Sequence, residues 1–269
     1  MIKLIALDMD GTLLNKEKRI SDRNYQAIQS AKEAGIKIVL ASGRPLQGLQ
    51  SHLEHLGLTG NDDFVASYNG SLVQRVGNGE ILHQTSLKGE DAKVIFEISQ
   101  QLGVFIHAFS VKQGLITHQQ NTWTDYEAKL NGMAPTVVDF NTIDDDEDII
   151  KVMMVADPTD LTSAIKKLPV HLKEKYTIVQ STAYFLELLH LESNKGIAIA
   201  KISEALNINA EQVMCVGDAE NDHAMLEFAG LGVAMENADI ATKALAQYIT
   251  KSNIDDGVAF AIEEKVLQV

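Results

Sequence analysis

Two short, unbroken apolar runs limit the folds open to this chain. They are KLIALD at residues 3–8 and IKIVLAS at residues 36–42. Strands that do not alternate polar with apolar residues are typical of a parallel sheet covered by helices on both faces. The segment between the runs has Ser21 as a helix N-cap and Gly35 as a stop. The sequence therefore predicts a β-α-β unit at the N-terminus.

The same alternation of strand and helix returns near the C-terminus. Further elements are predicted as strands at 63–67, 212–217 and 231–235 and as helices at 195–206 and 221–230. Because both ends of the chain follow one pattern, we expect them to be halves of a single α/β domain made of residues 1–82 and 191–269.

The middle of the chain follows a different pattern. Two alternating runs flank Gly77-Asn78-Gly79, which indicates a hairpin. Several more strand-like runs follow, separated by helical stretches at 89–102 and 159–168. We expect an α+β domain at 83–190, inserted into the α/β domain.

Charge and composition exclude several classes of partner. The formal net charge is −14, and the sequence has no dense run of Lys and Arg, so nucleic acid and anionic membranes are disfavoured as partners. No signal peptide and no stretch of about 20 apolar residues is present. The single cysteine, Cys215, cannot form an intrachain disulfide. We expect a cytoplasmic protein.

Acidic residues follow several of the predicted strands. Asp8, Asp10, Ser42 and Asp218 each come just after a strand end, where open α/β sheets bind ligands. If the first strand lies between the second strand and the strand at 212–217, these side chains converge, and Asp222 adds another carboxylate. Such charges repel by roughly 4 kcal/mol per pair at 4 Å. Ligands that are all oxygen favour Mg²⁺, which completes its shell with water and phosphate.

The remaining polar groups suit a phosphorylated ligand. Ser42 and Lys195 offer a hydroxyl donor and a positive charge, and a helix expected to begin near Pro45 offers backbone N–H groups. Gly11 permits a tight turn that directs the Met9 N–H to the same place. A carboxylate can attack phosphorus, so Asp8 is the candidate nucleophile. Asp10 is the candidate acid and base for the leaving alcohol and the hydrolytic water.

Four motifs occur in a recognisable order. They are DMDGTLL from residue 8, ASGR from residue 41, NKG from residue 194 and GDAEND from residue 217. Together they resemble the motifs of haloacid dehalogenase-like (HAD) phosphatases. The position of the insert, with YNG, GVAMENA and DGVAFAI, is similar to the Cof-type branch and to its YidA-like sugar phosphatases. The resemblance implies a Rossmann-like parallel-sheet core with an inserted α+β cap that selects the leaving group.

The resemblance also implies roles for individual residues. Asp8 is the expected nucleophile and metal ligand, Asp10 the acid/base with its carbonyl on the metal, and Asp218 and Asp222 complete or support the metal shell. Phosphate contacts are expected from Met9, Ser42, Lys195 and Asn221. Contacts with the substrate are expected more weakly from the neighbours of the motifs, Arg44, Asn69, Gly70 and Asn194.

Several functions fit these residues. The first is a Mg²⁺-dependent phosphatase acting on small phosphorylated metabolites, in particular sugar phosphates, through an aspartyl-phosphate. A phosphosugar mutase or other phosphotransferase uses the same motifs. Dehalogenation is disfavoured because it needs no acid at Asp10. A phospho-receiver signalling domain is a non-enzymatic alternative, but it places its phosphorylated Asp after the third strand, whereas Asp8 follows the first.

Overall fold

The computed structural model describes residues 1–268. Its strands are β1 (Leu4–Leu7), β2 (Lys37–Ala41), β3 (Phe64–Ser67), β4 (Leu72–Arg75), β5 (Ile81–Gln84), β6 (Leu87–Lys88), β7 (Phe105–Ser110), β8 (Gly114–Thr117), β9 (Thr136–Val137), β10 (Asp148–Val155), β11 (Tyr176–Thr182), β12 (Phe185–His190), β13 (Val213–Gly217), β14 (Leu231–Ala234) and β15 (Tyr248–Ile249).

The α-helices are α1 (Asp22–Glu33), α2 (Gln50–Leu56), α3 (Gly89–Leu102), α4 (Thr122–Leu130), α5 (Pro158–Lys166), α6 (Leu172–Lys175), α7 (Lys195–Leu206), α8 (His223–Phe228), α9 (Ile240–Leu245) and α10 (Gly257–Ile262). Short 3-10 turns lie before α2 and α8, at Leu46–Gly48 and Glu220–Asp222.

The chain divides into two compact units. The first contains Met1–Gln84 and the chain from Asn194 onward, and the second is Thr85–Ser193. The second unit begins and ends within a few residues of the insert expected at 83–190. The linking segments are therefore slightly farther along the chain than the sequence pattern suggested.

The first unit is built on one eight-stranded sheet. Its order is β15-β14-β13-β1-β2-β3-β4-β5. Each neighbouring pair in the run from β15 through β14, β13, β1 and β2 to β3 is parallel. The hairpin of β4 and β5 extends the sheet in the antiparallel sense. β1 thus lies between β2 and β13, as expected, and the predicted α/β core with a largely parallel sheet is confirmed.

The apolar runs have side chains on both faces of this sheet. In β1, Ile5 and Leu7 pack in one apolar cluster with residues of α1, α2 and α10. Leu4 and Ala6 pack in another cluster with residues of α7 and α8. Because both faces are covered, a strand without polar alternation is the stable choice. All four side chains are fully buried.

The second unit is an α+β domain with its own sheet and core. The sheet has the order β11-β12-β10-β7-β8-β9, with β6 paired to β10. One face packs with residues of α3, α5 and α6 in an apolar core. Alternate residues point to the other face, which has a buried ion pair between Lys151 Nζ and Glu187 Oε2, 3.1 Å apart. His107 lies on the same face and shares a hydrogen bond with Thr124 of α4.

One predicted helix start is wrong. We expected a helix near Pro45, but Pro45 is extended and a 3-10 turn follows it, with the Gly48 N–H donating to the Pro45 carbonyl. The α-helix begins only at Gln50. A proline suits the first turn of a helix, but Gly48 is a poor helix former and the chain does not continue directly from that turn. The N–H groups just after Pro45 therefore open a 3-10 turn and not the α-helix that was expected.

Candidate active site

Three carboxylates and one ammonium group meet at the carboxyl end of β1. Asp8 directly follows β1, and its N–H donates to the Val216 carbonyl of the adjacent β13 at 3.0 Å. Asp218 directly follows β13, so the parallel pairing brings the two acids to the same edge. One oxygen each of Asp8, Asp218 and Asp222 lies within 4.8 Å of the others. The convergence predicted from the strand ends is therefore observed for these acids.

Lys195 is the positive charge inside this cluster. Its side chain is fully buried, and Nζ lies 2.6 Å from Oδ1 of Asp8 and 2.6 Å from Oδ1 of Asp222. Burial alone would lower the pKa of Lys195, but the two carboxylates outweigh it and hold the pKa above its ordinary value. The lysine is therefore charged at neutral pH.

The NKG motif has a structural explanation for each residue. Asn194 is the N-cap of α7, and its Oδ1 accepts the Ile197 N–H at 2.9 Å. Lys195 is the first residue of the helix. Gly196 faces α8 so closely that a Cβ there would lie 2.4 Å from the Ala224 carbonyl oxygen. The helix start and the close helix packing together place the lysine amine among the acids.

Asp222 lies in the acidic cluster, but its oxygens already have partners. Oδ1 accepts from Lys195, while Oδ2 accepts the N–H groups of Asp218 at 2.8 Å and Ala219 at 3.1 Å. Gly217 makes room for it, because a Cβ there would lie 2.5 Å from the Asp222 Cβ. These bonds suit a residue that holds Lys195 and the Asp218 loop, which is the supporting role in the metal shell that the resemblance implies for Asp222.

The cluster has more negative than positive charge. Burial raises the pKa of Asp8 well above its ordinary value, and Asp222 and Asp218 raise it further, against the opposing effect of Lys195. Burial and Asp222 likewise raise the pKa of Asp218 to about 6. Three carboxylates against one ammonium leave an excess of negative charge that a divalent cation would neutralise. The donor set, carboxylate oxygen only, fits Mg²⁺.

Two residues that contact Asp218 were not predicted from the sequence. Thr12 Oγ1 donates to Oδ1 of Asp218 at 3.0 Å, and Asn237 Nδ2 lies 3.4 Å from Oδ2 and donates to the Gly11 carbonyl at 2.8 Å. Gly11 has a φ of +92°, and a Cβ there would lie 2.3 Å from Asp218 Oδ2. Both missed residues stand in quoted motifs, DMDGTLL and GVAMENA, which was the available signal.

Asp10 points to a pair of cations. Its carboxylate accepts from Arg44 Nε at 2.8 Å and Nη2 at 2.7 Å, and from Lys18 Nζ at 2.6 Å. Partial burial raises the pKa of Asp10, but the bonds from Arg44 and Lys18 outweigh it, so the pKa lies below its ordinary value. Arg44, expected to contact substrate, is here the partner of Asp10. Lys18 was not anticipated.

Met9 and Ser42 both lie at the sheet edge, and both are buried. The Ser42 N–H donates to the Ala66 carbonyl at 2.9 Å, which continues the β2–β3 pairing beyond β2. Its hydroxyl oxygen accepts the Arg44 N–H at 3.2 Å. The hydroxyl thus lies at the strand end where a phosphate donor was expected.

The YNG residues form a turn beside the site. Asn69 Oδ1 accepts from Asn221 Nδ2 at 3.0 Å, which joins this turn to the GDAEND loop. Gly70 has a φ of +92° and packs on the start of α7, where a Cβ would lie 2.3 Å from the Asn194 carbonyl oxygen. Gly70 and Asn194, expected to contact substrate, therefore have clear roles in backbone packing and capping.

Comparison with known proteins gives one family over nearly the whole chain. Residues 5–262 match the family model for haloacid dehalogenase-like hydrolases. Protein M6_Spy0533 of Streptococcus pyogenes serotype M6, named as a candidate phosphatase, is 42% identical over 270 residues, or 99% of both chains. YcsE of Bacillus subtilis, a 5-amino-6-(5-phospho-D-ribitylamino)uracil phosphatase, is 33% identical over 99% of this chain and 96% of its own.

A solved structure extends the likeness to the fold. The sugar phosphatase BT4131, described as a member of HAD subclass IIB, superposes with a TM-score of 0.82 at 25% identity. The match covers 97% of this chain and 98% of that one.

Within residues 1–268 no helix combines the length and apolarity needed to cross a membrane.

Proposed function

Because this chain belongs to the haloacid dehalogenase-like hydrolase family, among relatives that are phosphatases, we propose that it hydrolyses small sugar phosphates with Mg²⁺ through an aspartyl-phosphate on Asp8. The observation that carries the proposal is the position of Asp8, a buried carboxylate bonded to Lys195 at 2.6 Å beside Asp218. A carboxylate held between an ammonium group and further acids suits phosphoryl transfer, in which positioning and charge stabilisation dominate.

The first half of the reaction forms the aspartyl-phosphate. An Asp8 carboxylate oxygen attacks phosphorus, and the bond from phosphorus to the leaving oxygen breaks. Asp10 gives a proton to that oxygen, so the product leaves as a neutral alcohol. To do this, the Asp10 carboxyl group exchanges its bonds with Arg44 and Lys18 for one with the leaving group.

The second half returns Asp8 to its starting state. Asp10, now a carboxylate, takes a proton from water, and the water oxygen attacks phosphorus. The bond between phosphorus and Asp8 breaks, and inorganic phosphate is released. Bound Mg²⁺, held by Asp8, Asp218 and the Asp10 carbonyl, would neutralise the charge of the acids and the phosphate. Asp222 supports this group by holding Lys195 and the Asp218 loop.

The phosphate itself is assigned four contacts. They are the Met9 N–H, the Ser42 hydroxyl, the Lys195 ammonium and the Asn221 amide, which together supply hydrogen-bond donors and a positive charge for the phosphate oxygens. The capped and closely packed start of α7 holds Lys195 in place before the ligand binds, and Asn69 holds the Asn221 amide, which reduces the reorganisation that the reaction requires.

The relatives and the insert support the proposed substrate class. One relative is a sugar phosphatase, and another acts on a phosphorylated ribityl group, so both release polyhydroxylated alcohols. The second unit, Thr85–Ser193, is assigned as the cap that selects the leaving group. Small phosphorylated metabolites are the expected partners, and the net charge of −14 disfavours nucleic acid and membrane surfaces.

The test measures phosphate release from hexose 6-phosphates, pentose and pentitol 5-phosphates and an aryl phosphate, with Mg²⁺ or with a chelator. The variants are Asp8→Asn and, as an exposed control on the same unit, Asp62→Asn. We expect turnover that needs Mg²⁺, is lost in Asp8→Asn and is retained in Asp62→Asn. Transfer of phosphate between two hydroxyls of one sugar without release would instead favour the mutase, and a stable phosphoprotein would favour the receiver.

A further inference from the structure

Asn69 is buried where a substrate contact was expected, and its side chain is bonded to another candidate site residue. We infer that Asn69 is a positioning residue, which acts by holding the Asn221 amide toward the phosphate. The inference rests on the proposed function and deepens it. It replaces the weak substrate contact expected of Asn69 with a different role, in which Asn221 touches the ligand and Asn69 orients Asn221.

The YNG turn contacts three of the four motifs. The Tyr68 N–H donates to the Arg44 carbonyl at 3.1 Å, and the Asn69 N–H donates to the Ser42 carbonyl at 2.9 Å. On its other side, Gly70 packs against the Asn194 carbonyl at the start of α7. The turn is therefore anchored to the ASGR and NKG motifs through the backbone, independently of the Asn69 side chain.

The Asn69 side chain contacts a third motif, GDAEND. Its Oδ1 accepts from Asn221 Nδ2 at 3.0 Å, although the two residues are 152 positions apart. Asn69 is 3% exposed, whereas Asn221 is half-buried and its loop borders the acidic cluster. Of the two amides, Asn221 is thus the one open to a ligand, and Asn69 lies behind it.

Neighbouring glycine leaves the space that the Asn69 amide fills. A Cβ on Gly43 would lie 3.1 Å from Asn69 Nδ2 and 3.2 Å from Oδ1, closer than ordinary packing allows. The backbone of Asn69 is left-handed, with a φ of +55°. Asparagine tolerates this conformation better than most residues and also supplies the acceptor, so one residue type meets both requirements.

The expected effect follows from preorganisation. A half-buried amide without a fixed partner samples several rotamers, and only some direct a donor at the phosphate. Removing one preorganised donor from an oxyanion hole costs about 10²–10³ in kcat, so a donor that is still present but no longer directed should cost less, about 10-fold. If Asn69 acts only through Asn221, removing it cannot matter once the Asn221 amide is gone.

A double-mutant cycle tests this relation. The variants are Asn69→Gly, Asn221→Ala and the pair, assayed for kcat and KM on an aryl phosphate with Mg²⁺ and for the Kd of inorganic phosphate. Glycine preserves the left-handed turn. The matched control is Asn207→Gly, another left-handed asparagine, which is exposed at the far end of α7. A second variant, Asn69→Asp, keeps the acceptor and the turn if Asn69→Gly does not fold.

We expect Asn221→Ala to lower kcat/KM about 100-fold and Asn69→Gly about 10-fold, and the pair to match Asn221→Ala within about twofold. Asn207→Gly stays at the wild-type value. Asn69→Asp should have a higher kcat than Asn69→Gly, because its acceptor remains. Its KM should rise, because its negative charge repels the phosphate. Multiplicative effects of the two substitutions, or a wild-type rate for Asn69→Gly, would overturn the inference.

The phosphate Kd separates this inference from the proposed function. If the wild type releases no phosphate from any ester, the proposed hydrolysis is wrong. The double-mutant cycle is then evaluated only with the Kd values of inorganic phosphate. Non-additive weakening of phosphate binding then still supports the positioning role. Additive weakening, or none in Asn69→Gly, overturns it.

Discussion

The Nζ atom of Lys195 donates to Oδ1 of Asp222 at 2.6 Å, and neither side chain reaches the surface. The other oxygen of Asp222 accepts two backbone N–H groups. Asp222 thus connects Lys195, at the start of α7, to the loop of Asp218 that precedes α8. In this region an unpaired charge has no access to water. Loss of Asp222 would affect the fold as well as the site.

We predict that Asp222→Ala lowers the free energy of unfolding by about 1–3 kcal/mol, because the N–H groups of Asp218 and Ala219 lose their buried acceptor while Lys195 keeps Asp8 as a partner. Urea denaturation measures this change. Asp145→Ala is the matched control, since Asp145 pairs with Lys93 at 2.7 Å on the surface and should change stability little. Equal losses in the two variants would contradict the role assigned to Asp222.

Asp8→Asn should abolish turnover while leaving the folded protein intact. With a chelator present, its thermal midpoint should equal or exceed that of the wild type, because the pKa of Asp8 is raised and the substitution removes an unfavourable charge. Mg²⁺ should stabilise the wild type by RT ln(1 + [Mg²⁺]/Kd) and the variant less. Thermal melts with and without Mg²⁺ test both statements, and a variant that Mg²⁺ stabilises as strongly would argue against Asp8 as a ligand.

Asp218 should make stability depend on pH when no cation is bound. Its pKa is raised from 3.8 to about 6, so the folded state binds more protons than the unfolded state between these values. Asp218 therefore stabilises the folded state fully below pH 3.8. This contribution to the free energy of unfolding, about 3 kcal/mol, is lost as the pH rises through 6. Denaturation in chelator at pH 4–7 measures this loss against Asp218→Asn, which should lack it. An identical slope in the variant would refute the assignment.

His107 should have the opposite dependence on pH. Burial, assisted by the charge of Lys151, lowers the pKa of His107 to about 3, so the unfolded state binds a proton first as the pH falls from 6.5. The resulting loss is about 2–3 kcal/mol between pH 7 and 4.5. His107→Gln should reduce the slope of stability against pH, whereas the exposed His171→Gln should not. Equal slopes in the two variants would show that His107 is not the group responsible.

Lys18→Met should alter the pH dependence of turnover. Lys18 and Arg44 lower the pKa of Asp10, and a general acid acts only while protonated. Removing Lys18 should therefore move the alkaline limb of kcat/KM to higher pH, by roughly 0.1–0.7 units for so exposed a pair. The neighbouring Lys16→Met serves as the control because Lys16 is also exposed. A shift to lower pH would rule out Asp10 as the acid.

The sequence pattern predicted best those features that depend on residues close together in the chain. Continuous apolar runs identified β1 and β2, and the acids after β1 and β13 were correctly expected to meet, because parallel strands end at one edge of the sheet. The helix of Lys195 was predicted to its observed ends, Lys195 and Leu206, whereas its cap, Asn194, was expected instead to contact substrate. The Pro45 helix failed because local propensity alone does not decide where a short turn gives way to a helix.

The amino-acid sequence by itself determined the α/β core, the family and the identity of the acids and the lysine, since strand and helix periodicity and the four motifs are local properties of the chain. Tertiary structure alone decided their partners. Thr12 bonds to Asp218 across 206 positions and Asn69 bonds to Asn221 across 152, and neither spacing predicts a contact. The physical reason is that a hydrogen bond requires two groups within about 3 Å, and only packing of the completed sheet and helices brings distant parts of the chain that close.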